Sequence, residues 1–185
     1  AVRRSRTRSP SRWRSNGGGA TDNLRHLLSL LLPADTVVGT FVSKREAQRY
    51  AEAHSGVADD PVKIASEATR KYKTSALKVP AFQGKIATLI NRGSASASEI
   101  CAAALNEIAN APLVGTRSAG AVLASVYGRL PYGFELQYPV NDYVTVKGRR
   151  LEGSPLAPTI EASVFPTKEK DEALDKAVEK LKSGS

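Results

Sequence analysis

The sequence predicts an α/β protein with a layered core, and two observations carry that reading. Short apolar or β-branched runs, TVVGTFVS (36–43), KIATLIN (85–91) and PLVG (112–115), alternate with stretches of helical period. Alternation of this kind favours sheets layered against helices. With 185 residues, 41% hydrophobic and 24% charged, the chain is also long and apolar enough to bury a core, which argues against disorder throughout. No internal repeat is visible.

Taken in order, AVRRSRTRSPSRWRS (1–15) has no hydrophobic period and reads as a solvated basic segment, disordered or non-native. Arg3, Arg4, Arg6, Arg8, Arg12 and Arg14 supply six charges toward a net of +9, so the rest of the chain is close to balanced. A general nucleic-acid face is therefore not expected. An arginine-serine tail that binds RNA is the remaining basic-charge alternative, and its affinity would fall steeply with salt. The folded unit is expected over 16–183. The absence of methionine suggests a piece of something longer, truncated at its N-terminal side.

SNGGGATDN (15–23) is a glycine-rich turn whose Thr21 or Asp22 is expected to cap a helix over 23–32, ended by Pro33. A strand follows at 36–43. From 44 to 83 the pattern is weak: one helix near 44–54, a polar break at Asp59-Asp60-Pro61, and a partly irregular excursion. Gly84 opens a strand at 85–91. Then SASASEICAAALNEIANA (94–111) places Ile100, Ala103, Ala104, Glu107 and Ile108 at helical spacing. PLVG is a short strand, and residues 125–146 read as two strands about a Pro-Tyr-Gly turn. The tail, 167–184, is an amphipathic helix with Gly184 near its end.

The same pattern excludes several classes. The longest apolar cluster, Leu27 to Leu32, is far short of the roughly 18 residues of a membrane helix. The one cysteine, Cys101, cannot form an internal disulfide and is most simply a small core residue. No zinc-ligand spacing occurs, so no metal site is expected.

The serines of SASASE stand where an apolar run turns into a helix. Backbone N–H groups of a first helical turn lack intrahelical partners and carry positive potential, so they can hold a negative oxygen. A serine attacking a carbonyl there would have its oxyanion held by the next residue's N–H and one further donor. The turn Asn16-Gly17-Gly18-Gly19 is a candidate for that donor, because glycine lets a backbone approach closely. The plain alternative is a helix cap, with Ser96 and Glu99 matching the capping-box pattern.

The order of these pieces is what goes beyond spacing. SNGGG, a strand, GKIATLINRGSASASEICAAAL, PLVGTRSAG and a strand pair ending GRRLEG-x4-P together resemble the C-terminal processing, or tail-specific, serine proteases over roughly 13–182. The resemblance implies a fold of the ClpP/crotonase type, made of strand-strand-helix units. It further implies peptide hydrolysis through an acyl-enzyme on Ser96, with the N–H groups of Ala97 and Gly18 as oxyanion donors. No metal or organic cofactor is implied. The implied partner is a protein or peptide substrate cut near an exposed C-terminus, and family habit points to a cell-envelope, periplasmic or exported setting.

Two positions depart from the family pattern. The lysine base of many members is replaced by Ala121, and a following glutamine by Ser125. A branch similar to the tricorn protease core uses a histidine base with a downstream glutamate, and Glu152 in GRRLEG stands at about that glutamate's place. Its bland alternative is a surface carboxylate pairing with Arg149 or Arg150. His26, expected to be a partly buried helix residue, and His54, expected to be exposed, are poor candidates for the base. The base and any PDZ-like module are expected in sequence upstream. The rival to an enzyme is a catalytically inactive peptide-binding or scaffold domain of the same fold.

Overall fold

The computed structural model describes residues 15–165, 167 and 170–183. The basic segment up to residue 14 and the expected helix end at Gly184 lie outside the described residues.

Two sheets flank one buried helix. The elements are α1 (Thr21–Leu31), β1 (Val37–Ser43), α2 (Lys44–Ala53), α3 (Pro61–Glu67), β2 (Tyr72–Lys73), β3 (Thr88–Ile90), α4 (Ala97–Ala109), β4 (Leu113–Gly115), β5 (Ala124–Arg129), β6 (Glu135–Thr145), β7 (Ile160–Glu161) and α5 (Glu172–Ser183). The first sheet is antiparallel with strand order β2-β1-β6-β5, and the second is parallel with order β3-β4-β7. Helix α4 touches β1 and β6 of one sheet, β3 of the other, and α1. Its small residues make this possible: Ala97, Ala102, Ala103 and Ala104 are buried together with Ile100 and Leu105. Helix α5 closes the outer face of the parallel sheet, with Ala173 and Ala177 packed on Val114.

The antiparallel sheet meets α4 through an aromatic cluster. Phe41 makes edge contacts with Tyr72 and Tyr143, each at 5.0 Å between ring centres. Tyr143 is buried and donates its hydroxyl proton to Val38 O at 3.0 Å. Burial raises its pKa above the ordinary tyrosine value. A side chain at Gly39 would overlap that hydroxyl, so glycine is required there for the ring to reach its acceptor.

Several expected elements shift for identifiable reasons. The cap of α1 is Ala20, with no side-chain cap bond; Thr21 and Asp22 lie inside the helix, and Asp22 pairs with Arg25 one turn on. The polar Asp59-Asp60-Pro61 break is the start of a helix: the Asp60 carboxylate accepts from Val62 N at 2.8 Å and Lys63 N at 3.3 Å, with Pro61 at the first helical position. The strand expected over 85–91 is confined to Thr88–Ile90. The tail helix begins at Glu172, after Asp171 Oδ1 accepts from Leu174 N at 3.0 Å.

Candidate active site

Three segments converge at the start of α4. Residues 15–19 run alongside 91–97: Asn91 Nδ2 donates to Ser15 Oγ at 3.1 Å, and Ala95 N to Asn16 O at 3.2 Å. On the other side lies the loop joining β4 to β5, whose Ala119 N donates to Ser94 O at 2.9 Å. The serines divide the work. Ser94 is buried and its Oγ accepts from Asn91 N at 3.1 Å, closing the tight turn after β3. Ser98 lines a cavity beside the corner. Ser96 stands at the corner itself.

Ser96 does not cap the helix. It occupies the N-cap position with φ 55° and ψ −127°, and its side chain makes no cap bond. A positive φ with that ψ lies outside the left-handed well tolerated by residues such as Asn110; it costs about 1–3 kcal/mol and persists only where the surroundings impose it. Its N–H donates to Ala121 O at 2.7 Å, while its carbonyl accepts from Glu99 N and Ile100 N. The chain thus makes a sharp strand-to-helix turn with Ser96 at its apex. The residue is half-buried rather than sealed in.

Gly18 lies directly against this turn. A Cβ built on Gly18 would come within 2.7 Å of Ser96 Cβ and 2.9 Å of Ala97 N, and its φ of +99° already disfavours a side chain. The triple-glycine bend and the serine are thus neighbours. The Ala97 amide, first in the helix, has no intrahelical partner. The Gly18 amide is occupied by Asn16 Oδ1 at 2.9 Å.

Glu99 and Glu152 clamp the loop opposite. Glu99 is fully enclosed and does not fold back on the helix start as a capping box would; it accepts from Ser118 Oγ at 2.5 Å, Gly120 N at 2.8 Å and Ala121 N at 2.9 Å. Glu152 pairs with neither Arg149 nor Arg150. Its Oε2 accepts from Val122 N at 2.7 Å and Leu123 N at 3.1 Å, while Arg149 binds the carbonyls of Ser154 and Pro155 and Arg150 pairs with Asp142. Four successive amides, 120 to 123, therefore end on two carboxylates. Sequence reading missed Glu99 in this role because SASE also spells a cap. Its signal was an acidic residue on the buried face of an alanine-rich helix.

The cavity beside the corner, about 360 Å³, is lined by Gly18, Leu24, Leu27, Ile90, Ala97 and Cys101 among others. Cys101 is half-buried there, and burial pushes its thiol up to about 11. Neither histidine reaches the corner. His26 is exposed on α1, not partly buried, because Leu24 and Leu28 take the core-facing positions. His54 is half-buried at the end of α2, stacked on Tyr50 and within 3.3 Å of Glu67. Residue 121 presents only a methyl group, and Ser125 Oγ accepts from Gln137 Nε2. Among the described residues no group of three His, Cys, Asp or Glu is placed to hold a metal, and no helix is long and apolar enough to cross a membrane.

The sequence profile described as Peptidase family S41 matches residues 13–162. The chain belongs to this family. Among curated proteins none matches it in sequence. Solved structures that share the fold include the photosystem II D1 C-terminal processing protease (21% identity, 91% of this chain and 37% of that one, TM-score 0.60) and the tricorn protease (20%, 92% and 14%, 0.60). A lipoprotein from Streptococcus agalactiae is a third (19%, 92% and 52%, 0.62). This chain spans about half, or less, of the length of these proteins.

Proposed function

We propose that the chain carries the nucleophile-bearing core of a serine-type endopeptidase, with Ser96 attacking the scissile carbonyl to form an acyl-enzyme. The observation that supports this best is the backbone of Ser96: strained, without capping duty, and backed by Gly18. On attack, the Oγ–C bond forms as a base takes the Oγ proton and the carbonyl oxygen becomes negative; the oxyanion then collapses, the scissile C–N bond breaks, and the amine leaves with that proton. The Ala97 N–H takes that oxygen, and the Gly18 N–H joins it by leaving Asn16 Oδ1 as the substrate enters. The cavity lined by Leu24, Leu27 and Cys101 would take an apolar side chain of a protein or peptide substrate.

A serine hydroxyl needs a base to lose its proton. Ala121 is unsuited to that role, and neither His26 nor His54 lies at the corner. The tricorn-like branch supports a histidine base working with a carboxylate, in which Glu152 is the assisting group; it binds the amide of Val122, next to Ala121, whose carbonyl takes the Ser96 N–H. The burial of α4 between two sheets supports layering of the ClpP/crotonase type. The lipoprotein among the structural relatives supports an envelope setting.

A second reading, a peptide-binding scaffold without turnover, is favoured by the methyl group at Ala121 and the occupied Gly18 amide. Turnover of fluorescein-labelled casein by the natural gene product separates the two. The enzyme reading expects hydrolysis that falls by about 10⁴-fold or more in Ser96→Ala, and by a smaller but clear factor in Glu152→Gln. Casein binding without hydrolysis in the unaltered protein would favour the scaffold.

A further inference from the structure

Glu99 is a buried carboxylate that the proposed chemistry does not use. Its side chain has no exposure to solvent, and among the described residues its partners are three uncharged donors rather than a lysine or arginine. Enclosing a lone carboxylate is expensive, several kcal/mol in order of magnitude, so a helix that needed only packing here would carry an apolar residue. What the carboxylate does is visible one bond further on. Glu99 binds the amides of Gly120 and Ala121, and the Ala121 carbonyl takes the Ser96 N–H at 2.7 Å. Ser118, the third donor, also accepts Leu156 N at 2.7 Å, and Ala119 N reaches Ser94 O at 2.9 Å. The loop 118–121 is thereby fastened to α4 from within and to both ends of the serine turn. A strained residue persists only where its surroundings over-determine it.

We propose that Glu99 is a positioning residue: it pins loop 118–121 against the strand-to-helix corner and so maintains the backbone that presents Ser96. Its catalytic consequence rests on the reading of Ser96 as nucleophile; the pinning does not. Glu99→Gln keeps the shape but turns one acceptor into a donor facing a donor, which breaks at least one of the three bonds. Ser118→Ala removes one of the three bonds to Glu99, together with the Leu156 N–Ser118 bond, and leaves the carboxylate in place.

Amide hydrogen exchange on the 185-residue chain tests the pinning without any catalysis. In Glu99→Gln the amides of Ser96, Gly120 and Ala121 should exchange about tenfold faster or more, with those of β1 and of Ala103 and Leu105 in α4 unchanged. Ser118→Ala should show the same pattern more weakly. It decides the matter should the Gln variant not fold. Unchanged rates at Ser96 and Ala121, or a rise spread evenly over α4 and β1, would overturn the proposal. A second arm measures modification by a fluorophosphonate in the natural gene product. There Glu99→Gln should lower the limiting rate at an unchanged half-saturating concentration, and the opposite split would also overturn it. An unaltered protein that is not modified at Ser96 would refute the nucleophile and leave exchange to judge the pinning.

Discussion

Around Ser96, loop 118–123 is tied down amide by amide to the carboxylates of Glu99 and Glu152 and to the carbonyl of Ser94. The outer part of the ribbon that follows, β5 with residues 135–140 of β6, is held by the ladder between them and by the Ser125–Gln137 bond, and it carries Tyr127 and Phe134 at 67% exposure and Tyr132 at 97%, whereas β6 from Asn141 on pairs with β1. The two regions are adjacent in the chain but obey different rules. The ribbon's turn is local chemistry: Pro131, then Tyr132 and Gly133 at positive φ, closed by Leu130 N donating to Phe134 O. The corner holds a conformation that serine would not choose, and does so with partners distant in sequence. Strain at a site is bought with tethers around it, and a solvated hairpin needs none.

The largest effect should come from breaking the corner at its tightest contact. Gly18→Ala places a Cβ against Ser96 and Ala97 at a φ that disfavours it, and should destabilise the chain by about 2–4 kcal/mol in a urea titration. A loss under about 0.5 kcal/mol would show that the glycine bend is free of the serine turn.

Next comes the half-buried thiol of Cys101. Its folded pKa is raised from 9.0 to about 11 by burial, so the folded state holds its proton where the unfolded state has released it. The stabilisation is full below about pH 9 and is lost as pH rises from 9 to 11, a decline on the order of 2–3 kcal/mol. Urea midpoints across that window should fall less in Cys101→Ala than in the parent, and alkylation of the folded chain should still be accelerating above pH 9. Thiol reactivity that levels off near pH 8.5 would contradict the burial.

Outside both regions, Asp60→Ala removes the carboxylate that caps α3 and should cost about 1 kcal/mol in the same titration. The smallest effect belongs to the ribbon. Tyr127→Ser or Phe134→Ser should change stability by no more than about 0.5 kcal/mol, since each ring is mostly solvated already. A loss as large as that of Gly18→Ala would erase the contrast between the two regions.

The contrast also explains what was legible. Strand β1, helices α2 and α4, and the β5–β6 hairpin follow from periodicity and turn residues, which act over a few positions. The start of α3 was hidden because Asp-Asp-Pro serves equally as a break and as a cap with proline behind it. At the site, Ser96, Ala97 and Gly18 came from the order of motifs; that Gly18 lies against Ser96 is a contact between segments about 80 positions apart. The carboxylate bonds did not come from that order. Nothing near Glu99 or Glu152 in sequence indicates that their partners lie 21 or 30 positions away, on one loop. An acidic residue beside two arginines, as in GRRLEG, looks like an ion pair until the arginines are seen bonded to Asp142 and to backbone carbonyls.

The central claim is that the hydroxyl of Ser96 is a reactive oxygen at a built corner. Its most direct test is mass-spectrometric mapping of the covalent adduct formed by a fluorophosphonate on the natural gene product. The account predicts one adduct, on the peptide containing Ser96, that disappears in Ser96→Ala. An adduct on a different serine, or one that survives the substitution, would contradict it.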